Sequence, residues 1–198
     1  MTPRNKIVRL LKGALVSSLF LFITCQGAAA LEVAGVSVPE TVIIGDSGEK
    51  LVLNGAGIRK KLFIKVYVGA LYLSSKQNTV DAILNAEGAK RITMHFLYKE
   101  VSAKKLVKTW NEGFSGNSSA AEVKALQGHI NQFNKLFSTV HKGDVIRLNY
   151  LPAQGTQVWI KDKLTGTIEG KDFNQALLKI WLGPKPADDG LKKAMLGN

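Results

Sequence analysis

The sequence predicts an α+β fold: a largely antiparallel, open-faced β-sheet sandwich with helices packed on one face of the sheet. Strand patterns occur in two blocks, over residues 31–98 with one short helix inside, and over residues 145–169. Two helical patterns lie between the blocks, and two more end the chain. No repeat, low-complexity tract or linker divides residues 31–198, so we expect them to form one domain.

The first block contains the strongest strand signal of the chain. Residues 62–73 read LFIKVYVGALYL, which is apolar on both faces and predicts a central strand. Upstream, β-branched runs at residues 33–44 and 51–53 predict further strands, with a turn at residues 45–48. Between these runs and the central strand, Gly55 and Gly57 indicate a bend or a close backbone approach.

The helices are predicted from their caps and from apolar residues spaced by three and four. Ser102 caps a helix whose apolar face includes Trp110. Ser119 and Glu122 have the spacing of a capping box, which predicts one longer helix with apolar positions as far as Phe137. The other predicted elements are a helix at residues 79–86, strands at residues 91–98, 145–151, 156–161 and 164–169, and helices at residues 172–182 and 188–196.

Residues 1–30 have the three parts of a secretory signal peptide. Residues 4–12 carry four basic side chains, residues 13–25 form a thirteen-residue apolar stretch, and residues 26–30 end in small side chains. The apolar stretch is shorter than the roughly 20 residues that span a bilayer. We therefore expect cleavage after Ala30, with Ala29 as the alternative, and an exported, periplasmic protein that keeps no transmembrane segment.

Composition argues against several kinds of site. The single cysteine, Cys25, lies in the segment expected to be removed, so the processed chain would have no disulfide and no thiolate metal site. The histidines His95, His129 and His141 share no metal-ligand spacing, and no cofactor motif is present. Of the formal net charge of +12, four positive charges lie in residues 4–12, and the remaining +8 is spread along the chain beyond residue 12. The sequence therefore predicts no metal, no cofactor and no nucleic-acid partner.

One group of residues suggests a binding site. Arg59 follows the glycine pair, and Lys65 and Tyr67 share one face of the predicted central strand. Charged and phenolic groups among bulky apolar neighbours are costly to bury without partners, so they suit a cavity that holds a ligand with a polar head. The alternative is that Lys65 extends into solvent and Arg59 caps a surface turn.

The same segment carries a family resemblance. Residues 55–73, GAGIRKKLFIKVYVGALYL, resemble the signature segment of chalcone isomerase-like proteins, most closely the exported bacterial branch. The resemblance continues through the strand before Tyr98, residues 102–106 (SAKKL) and residues 176–183 (ALLKIWLG). It implies an open-faced sheet sandwich with a ligand cleft between the sheet and the helices that cover one face.

The resemblance implies two possible functions, because the family holds enzymes and non-catalytic binders. In the enzymes, the arginine that matches Arg59 directs ring closure of a chalcone to a flavanone. In fatty-acid-binding members, the same arginine binds a carboxylate together with a tyrosine, and this tyrosine matches Tyr67. The other polar positions of the enzymes correspond here to Ser102, to Thr109 (with Asn111 two residues away) and to Ile180.

We therefore expect a non-catalytic binder of a fatty acid or a similar small amphipathic carboxylate, held by Arg59 and Tyr67. These residues are eight positions apart, roughly 26 Å along a straight strand, so residues 59–61 would have to turn. One alternative is an intramolecular lyase of the chalcone isomerase type that uses Arg59 and a second phenol or threonine, with Tyr98 the best substitute. The other is a structural or partner-binding envelope protein without a cleft, with Arg59 exposed and Lys65 paired on the surface. The sequence leaves the oligomeric state open.

Overall fold

The computed structural model describes residues 30–46 and 48–198, so the predicted signal peptide lies outside the described residues except for Ala30. The strands are β1 (Ala30–Val33), β2 (Val36–Pro39), β3 (Thr41–Ile44), β4 (Glu49–Lys61), β5 (Ile64–Leu73), β6 (Lys90–Phe96), β7 (Glu100–Val101), β8 (Val140–His141), β9 (Val145–Leu151), β10 (Gly155–Ile160) and β11 (Lys163–Ile168). The helices are α1 (Val80–Asn85), α2 (Ala103–Asn117), α3 (Ala120–Ala125), α4 (Gln127–Asn134), α5 (Lys171–Leu182) and α6 (Asp189–Met195).

One antiparallel sheet contains seven of these strands, in the order β11-β10-β9-β6-β5-β4-β3. Strands that follow each other along the chain are neighbours, except that β6 pairs with β9 after the intervening helices. β5 is an interior strand between β4 and β6, as its apolar sequence predicts. Outside this sheet, β1 pairs with β2 and β7 pairs with β8. The predicted α+β class with a largely antiparallel sheet is confirmed.

Apolar side chains pack on both faces of the sheet. On one face they meet the helices, and Leu71 of β5 is fully buried there. On the other face a smaller cluster packs under the β1–β2 hairpin, through Val36 and Val38. The Tyr72 hydroxyl of β5 donates a 3.0 Å hydrogen bond to the Pro39 carbonyl, which links the hairpin to the sheet.

Six rings fill the space between the helices and the sheet. They form a continuous group with neighbouring centroids 4.7–6.1 Å apart, and each is at most 8% exposed. Such tilted and edge-on contacts are favoured between aromatic side chains. This aromatic cluster consists of Trp110, Phe114, Phe133, Phe137, Phe173 and Trp181.

Two predicted helix boundaries differ from the structure. The capping box of Ser119 and Glu122 is present, but the expected long helix is divided at Leu126 into α3 and α4. The apolar spacing continues across this break, so the pattern could not reveal it. The expected polar break at residues 115–118 is mostly helical, since α2 continues to Asn117. The Asn117 side chain is satisfied there by hydrogen bonds to the Gly113 carbonyl and to the backbone beyond α5.

The glycines of β4 allow α6 to lie directly on the sheet. A Cβ atom on Gly55 would stand 1.9 Å from the Ala194 carbonyl oxygen, closer than any real contact. The close approach expected from the sequence is therefore confirmed, and β4 continues through the glycines as a strand. Asn54 also holds this helix, because its amide donates a 2.7 Å hydrogen bond to the Met195 carbonyl. The end of α6 is thus fixed over β4 and β5.

Candidate functional site

A tight hairpin brings Arg59 and Tyr67 together. β4 ends at Lys61 and β5 begins at Ile64, so only two residues form the turn. Arg59 and Tyr67 are direct cross-strand partners, and the Arg59 Cζ atom lies 5.8 Å from the centre of the Tyr67 ring. The turn that the sequence requires is therefore present, but it lies at residues 62–63, since residues 59–61 still belong to β4.

A β-bulge at Val66 changes which side chains of the hairpin face the helices. Arg59 pairs with Tyr67 and Lys60 pairs with Lys65, so Val66 is an extra residue in β5. Val66 consequently packs in the same cluster as Tyr67, and the alternation before it is shifted by one residue. The expectation that Lys65 shares the face of Tyr67 and points into a cavity is wrong, because Lys65 is exposed.

A cleft of about 430 Å³ lies between this hairpin and α2, and we call it the Arg59 cleft. Its volume is within the range of small-molecule sites in proteins. One wall comes from the hairpin, one from the segment around β7, and one from the first three turns of α2. The lining residues are Arg59, Lys61, Ile64, Val66, Tyr98, Glu100, Val101, Lys105, Lys108, Thr109 and Glu112.

The Arg59 cleft is electropositive. Four of its lining side chains are cationic and two are carboxylates. Both carboxylates have partners: Glu112 lies 3.7 Å from the Lys108 ammonium, and Glu100 lies 3.4 Å from the His141 ring. Within residues 30–46 and 48–198, Arg59 forms no salt bridge, so its charge is available to an anionic ligand.

Arg59 has an unsatisfied hydrogen-bond donor. Its Nε atom is buried and has no hydrogen-bond partner in the described part of the chain. The nearby carboxylate of Asp188 is engaged elsewhere: it accepts hydrogen bonds from the backbone amides of Lys60, at 2.9 Å, and of Leu191, at 2.8 Å. A buried donor without a partner is costly, so an oxygen atom of a ligand at this position would be stabilising.

Tyr67 lies beside Arg59 but is not among the lining residues of the cleft. It is 4% exposed, and its hydroxyl accepts a hydrogen bond from Trp181 Nε1 at 2.9 Å. Burial raises the pKa of Tyr67 to about 12, although the positive charge of Arg59 opposes this change. The phenol is therefore neutral at physiological pH, and its own proton remains available for donation.

The other positions suggested by the family resemblance are dispersed. Thr109 and Tyr98 line the cleft together with Arg59. Ser102 caps α2 by accepting a hydrogen bond from the Lys105 amide, and Asn111 is exposed. Ile180 is buried in the core.

The α2 wall of the cleft was not predicted from the sequence. Four residues of this wall recur at helical spacing, i, i+3, i+4 and i+7, on one side of α2. That spacing was the available signal, but a charged helix face usually faces solvent. The missed residues on this face, besides Thr109, are Lys105, Lys108 and Glu112.

Residues 30–46 and 48–198 contain no group of three or more histidine, cysteine or acidic side chains that could hold a metal ion. None of the helices in these ranges has the length and apolar character required to cross a membrane.

Comparison with known proteins identifies the family. The chain matches the model of chalcone isomerase-like proteins over residues 30–197, so it belongs to the chalcone isomerase-like family. No curated protein matches the sequence. Among solved structures, a fatty-acid binding protein of Arabidopsis thaliana superposes with a TM-score of 0.60 at 18% identity, covering 82% of this chain and 92% of that chain. The predicted family and fold are confirmed, whereas membership of an exported bacterial branch stays a prediction.

Proposed function

We propose that the protein binds a fatty acid or a similar small amphipathic carboxylate in the Arg59 cleft and does not convert it chemically. The observation that carries this proposal is the buried, unpartnered Nε of Arg59 in the wall of an electropositive cleft. A guanidinium can hold a carboxylate with two parallel, charge-assisted hydrogen bonds. One of the two would satisfy the Nε–H group.

The apolar part of the ligand would lie against Ile64, Val66 and Val101, which line the same cleft. Each methylene group removed from water there contributes roughly 0.8 kcal/mol. The fold also supports the proposal, since the similar Arabidopsis structure is that of a fatty-acid binding protein.

Tyr67 is the second group that we assign to the ligand head. Its position beside Arg59 and its free hydroxyl proton allow it to donate a hydrogen bond to a carboxylate that reaches the guanidinium. Because its pKa is about 12, the hydroxyl remains a donor at physiological pH.

We further propose that the protein acts after export, with residues 1–30 removed. The basic and apolar segments of residues 4–25 and the small residues before Leu31 support this proposal.

One observation favours the enzymatic alternative as a second candidate. Tyr98 and Thr109 line the cleft together with Arg59, and a lyase that uses Arg59 requires such a phenol or threonine. The envelope-protein alternative has no comparable support, because Arg59 is half-buried beside a cleft and Lys65 has no salt bridge to a described residue.

The deciding experiment is native mass spectrometry with lipid extraction on protein purified from an exporting host, beside Arg59→Ala. We expect the wild-type protein to carry a fatty acid and Arg59→Ala to lose it, with affinity for added palmitate reduced by about 100-fold, since hydrogen bonds to charged groups are worth about 1.5–3 kcal/mol. The same spectra give the N-terminus, expected at Leu31.

The matched control is Arg147→Ala, because Arg147 is paired with Asp162 outside the Arg59 cleft. This variant should keep the bound lipid. A wild-type protein that is empty and takes up no palmitate would contradict the proposal. Conversion of a chalcone to a flavanone by the wild type but not by Arg59→Ala would favour the isomerase instead.

A further inference from the structure

The tip of the β4–β5 hairpin, residues 60–65, exposes three consecutive apolar side chains. Leu62 is 87% exposed, Phe63 is 101% exposed and Ile64 is 46% exposed. Elsewhere in the described residues, exposed large apolar side chains occur singly, as at Ile43 and Leu164. Isolated apolar side chains on a surface are ordinary, whereas a contiguous group marks an interaction site.

The turn geometry does not account for these residues. Leu62 has a φ of +55°, in the left-handed region that bulky side chains disfavour. Two-residue hairpins prefer asparagine, aspartate or glycine at such positions. The β10–β11 hairpin follows this preference at one of its two turn positions, Asp162, which has a φ of 64°. Neither the backbone nor the core therefore explains an exposed Leu62–Phe63 pair.

Lysines surround the apolar tip. Lys60, Lys61 and Lys65 flank it in sequence, and none of them forms a salt bridge with any residue in the described ranges. Exposed apolar side chains flanked by unpaired lysine amines are complementary to an anionic bilayer. The apolar side chains enter the boundary of the acyl chains, and the amines meet the phosphates.

We propose that the hairpin tip docks the protein on an anionic lipid membrane. Lys61 and Ile64 belong both to the tip and to the wall of the Arg59 cleft, so docking places the cleft at the bilayer surface. A fatty acid can then pass between the bilayer and the cleft without crossing bulk water. This loading role rests on the proposed function, but the docking does not.

The test is co-sedimentation of the purified, processed protein with phosphatidylglycerol vesicles and with phosphatidylcholine vesicles, at low and high salt. We expect binding to phosphatidylglycerol that weakens with salt, and much weaker binding to phosphatidylcholine. Leu62 has a positive φ and Phe63 does not, so the turn prefers glycine at its first central position. The variant Leu62→Gly/Phe63→Asn removes the apolar tip and supplies that glycine, so it should fold at least as stably as the wild type. Its affinity for phosphatidylglycerol vesicles should fall on the order of tenfold or more.

Two further variants test the contribution of the lysines and the specificity for the hairpin tip. Lys61→Glu/Lys65→Glu keeps the apolar tip but should abolish the salt-sensitive binding. Leu164→Asn removes an exposed apolar residue of β11, at the edge strand farthest from β3, and should bind like the wild type.

Absence of wild-type binding to phosphatidylglycerol vesicles, or equal binding by Leu62→Gly/Phe63→Asn, would overturn the docking proposal. So would a dimer of the wild type that the variant loses, which would make the tip a contact between copies. Palmitate binding is measured on the same samples without vesicles. If the protein binds palmitate but not vesicles, the docking proposal fails and the proposed function stands. If it binds vesicles but not palmitate, only the proposed function is refuted.

Discussion

Replacing Tyr67 with phenylalanine separates the structural role of its hydroxyl from its proposed contact with a ligand. In the wild-type protein, Trp181 Nε1 donates a 2.9 Å hydrogen bond to the Tyr67 hydroxyl. The substitution keeps the ring beside Arg59 but leaves this donor without an acceptor. Trp181 is 1% exposed, so water cannot reach its Nε1 to replace the lost acceptor. An unsatisfied buried donor costs about 1–3 kcal/mol. We expect the free energy of unfolding to fall by about 2 kcal/mol, which lowers the Tm by about 4–8 °C in a chain of this size.

The assay is urea denaturation of the wild type, Tyr67→Phe, Trp181→Phe and the double variant. A double-mutant cycle should give a coupling free energy of about 1 kcal/mol or more between these two side chains. Tyr98→Phe is the control, because Tyr98 lines the cleft and is half-buried, and its stability should change by less than about 0.5 kcal/mol. In parallel, palmitate affinity should fall about tenfold in Tyr67→Phe if the hydroxyl donates to the carboxylate.

A stability change in Tyr67→Phe no larger than in Tyr98→Phe would refute the reasoning, because it would mean that the buried hydrogen bond is not formed. If stability falls but palmitate affinity is unchanged, the hydrogen bond is real and Tyr67 is not a ligand-binding residue.

Two further predictions concern stability. Gly55→Ala places a Cβ atom 1.9 Å from the Ala194 carbonyl oxygen, so α6 must shift and the free energy of unfolding should fall by about 2 kcal/mol or more. Gly128→Ala, in an open position of α4, should instead raise it by about 0.5–1 kcal/mol, and similar values for both in urea denaturation would contradict the close packing. Hydrogen bonding from the Ser119 backbone amide, with help from a nearby lysine, lowers the pKa of Glu122 to about 2. Its contribution to stability should be complete above pH 4.5 and lost as the pH falls through about 2, and Glu122→Gln should lack this acid-dependent loss in denaturation curves measured between these pH values.

The elements of the fold could be predicted because they depend on local patterns. Apolar content identified β5 as an interior strand, and side-chain caps identified where α2 and α3 begin. The division at Leu126 escaped prediction because the apolar spacing continues across it, so the break leaves no trace in the pattern.

The site was predictable only in part, because its geometry depends on strand register. Arg59 and Tyr67 lie side by side as the prediction of a shared ligand requires, but their proximity comes from a two-residue turn that lacks the usual turn residues. The bulge at Val66 reversed the expected orientation of Lys65, since one inserted residue moves side chains to the opposite face. No local signal marks such a bulge, because the partner strand that defines it is paired only in the folded chain.

The aromatic cluster has a consequence for how a ligand would be selected. The six rings are almost fully buried, and none of them lines the Arg59 cleft, so an acyl chain bound there as proposed would lie outside the cluster. Under the proposed function, selection would then rest on the head group rather than on the length of the acyl chain. Exchange of one ligand for another requires no opening of the core. If the proposed function holds, such a site would suit rapid transfer among lipids of mixed length better than long-term storage of a single species.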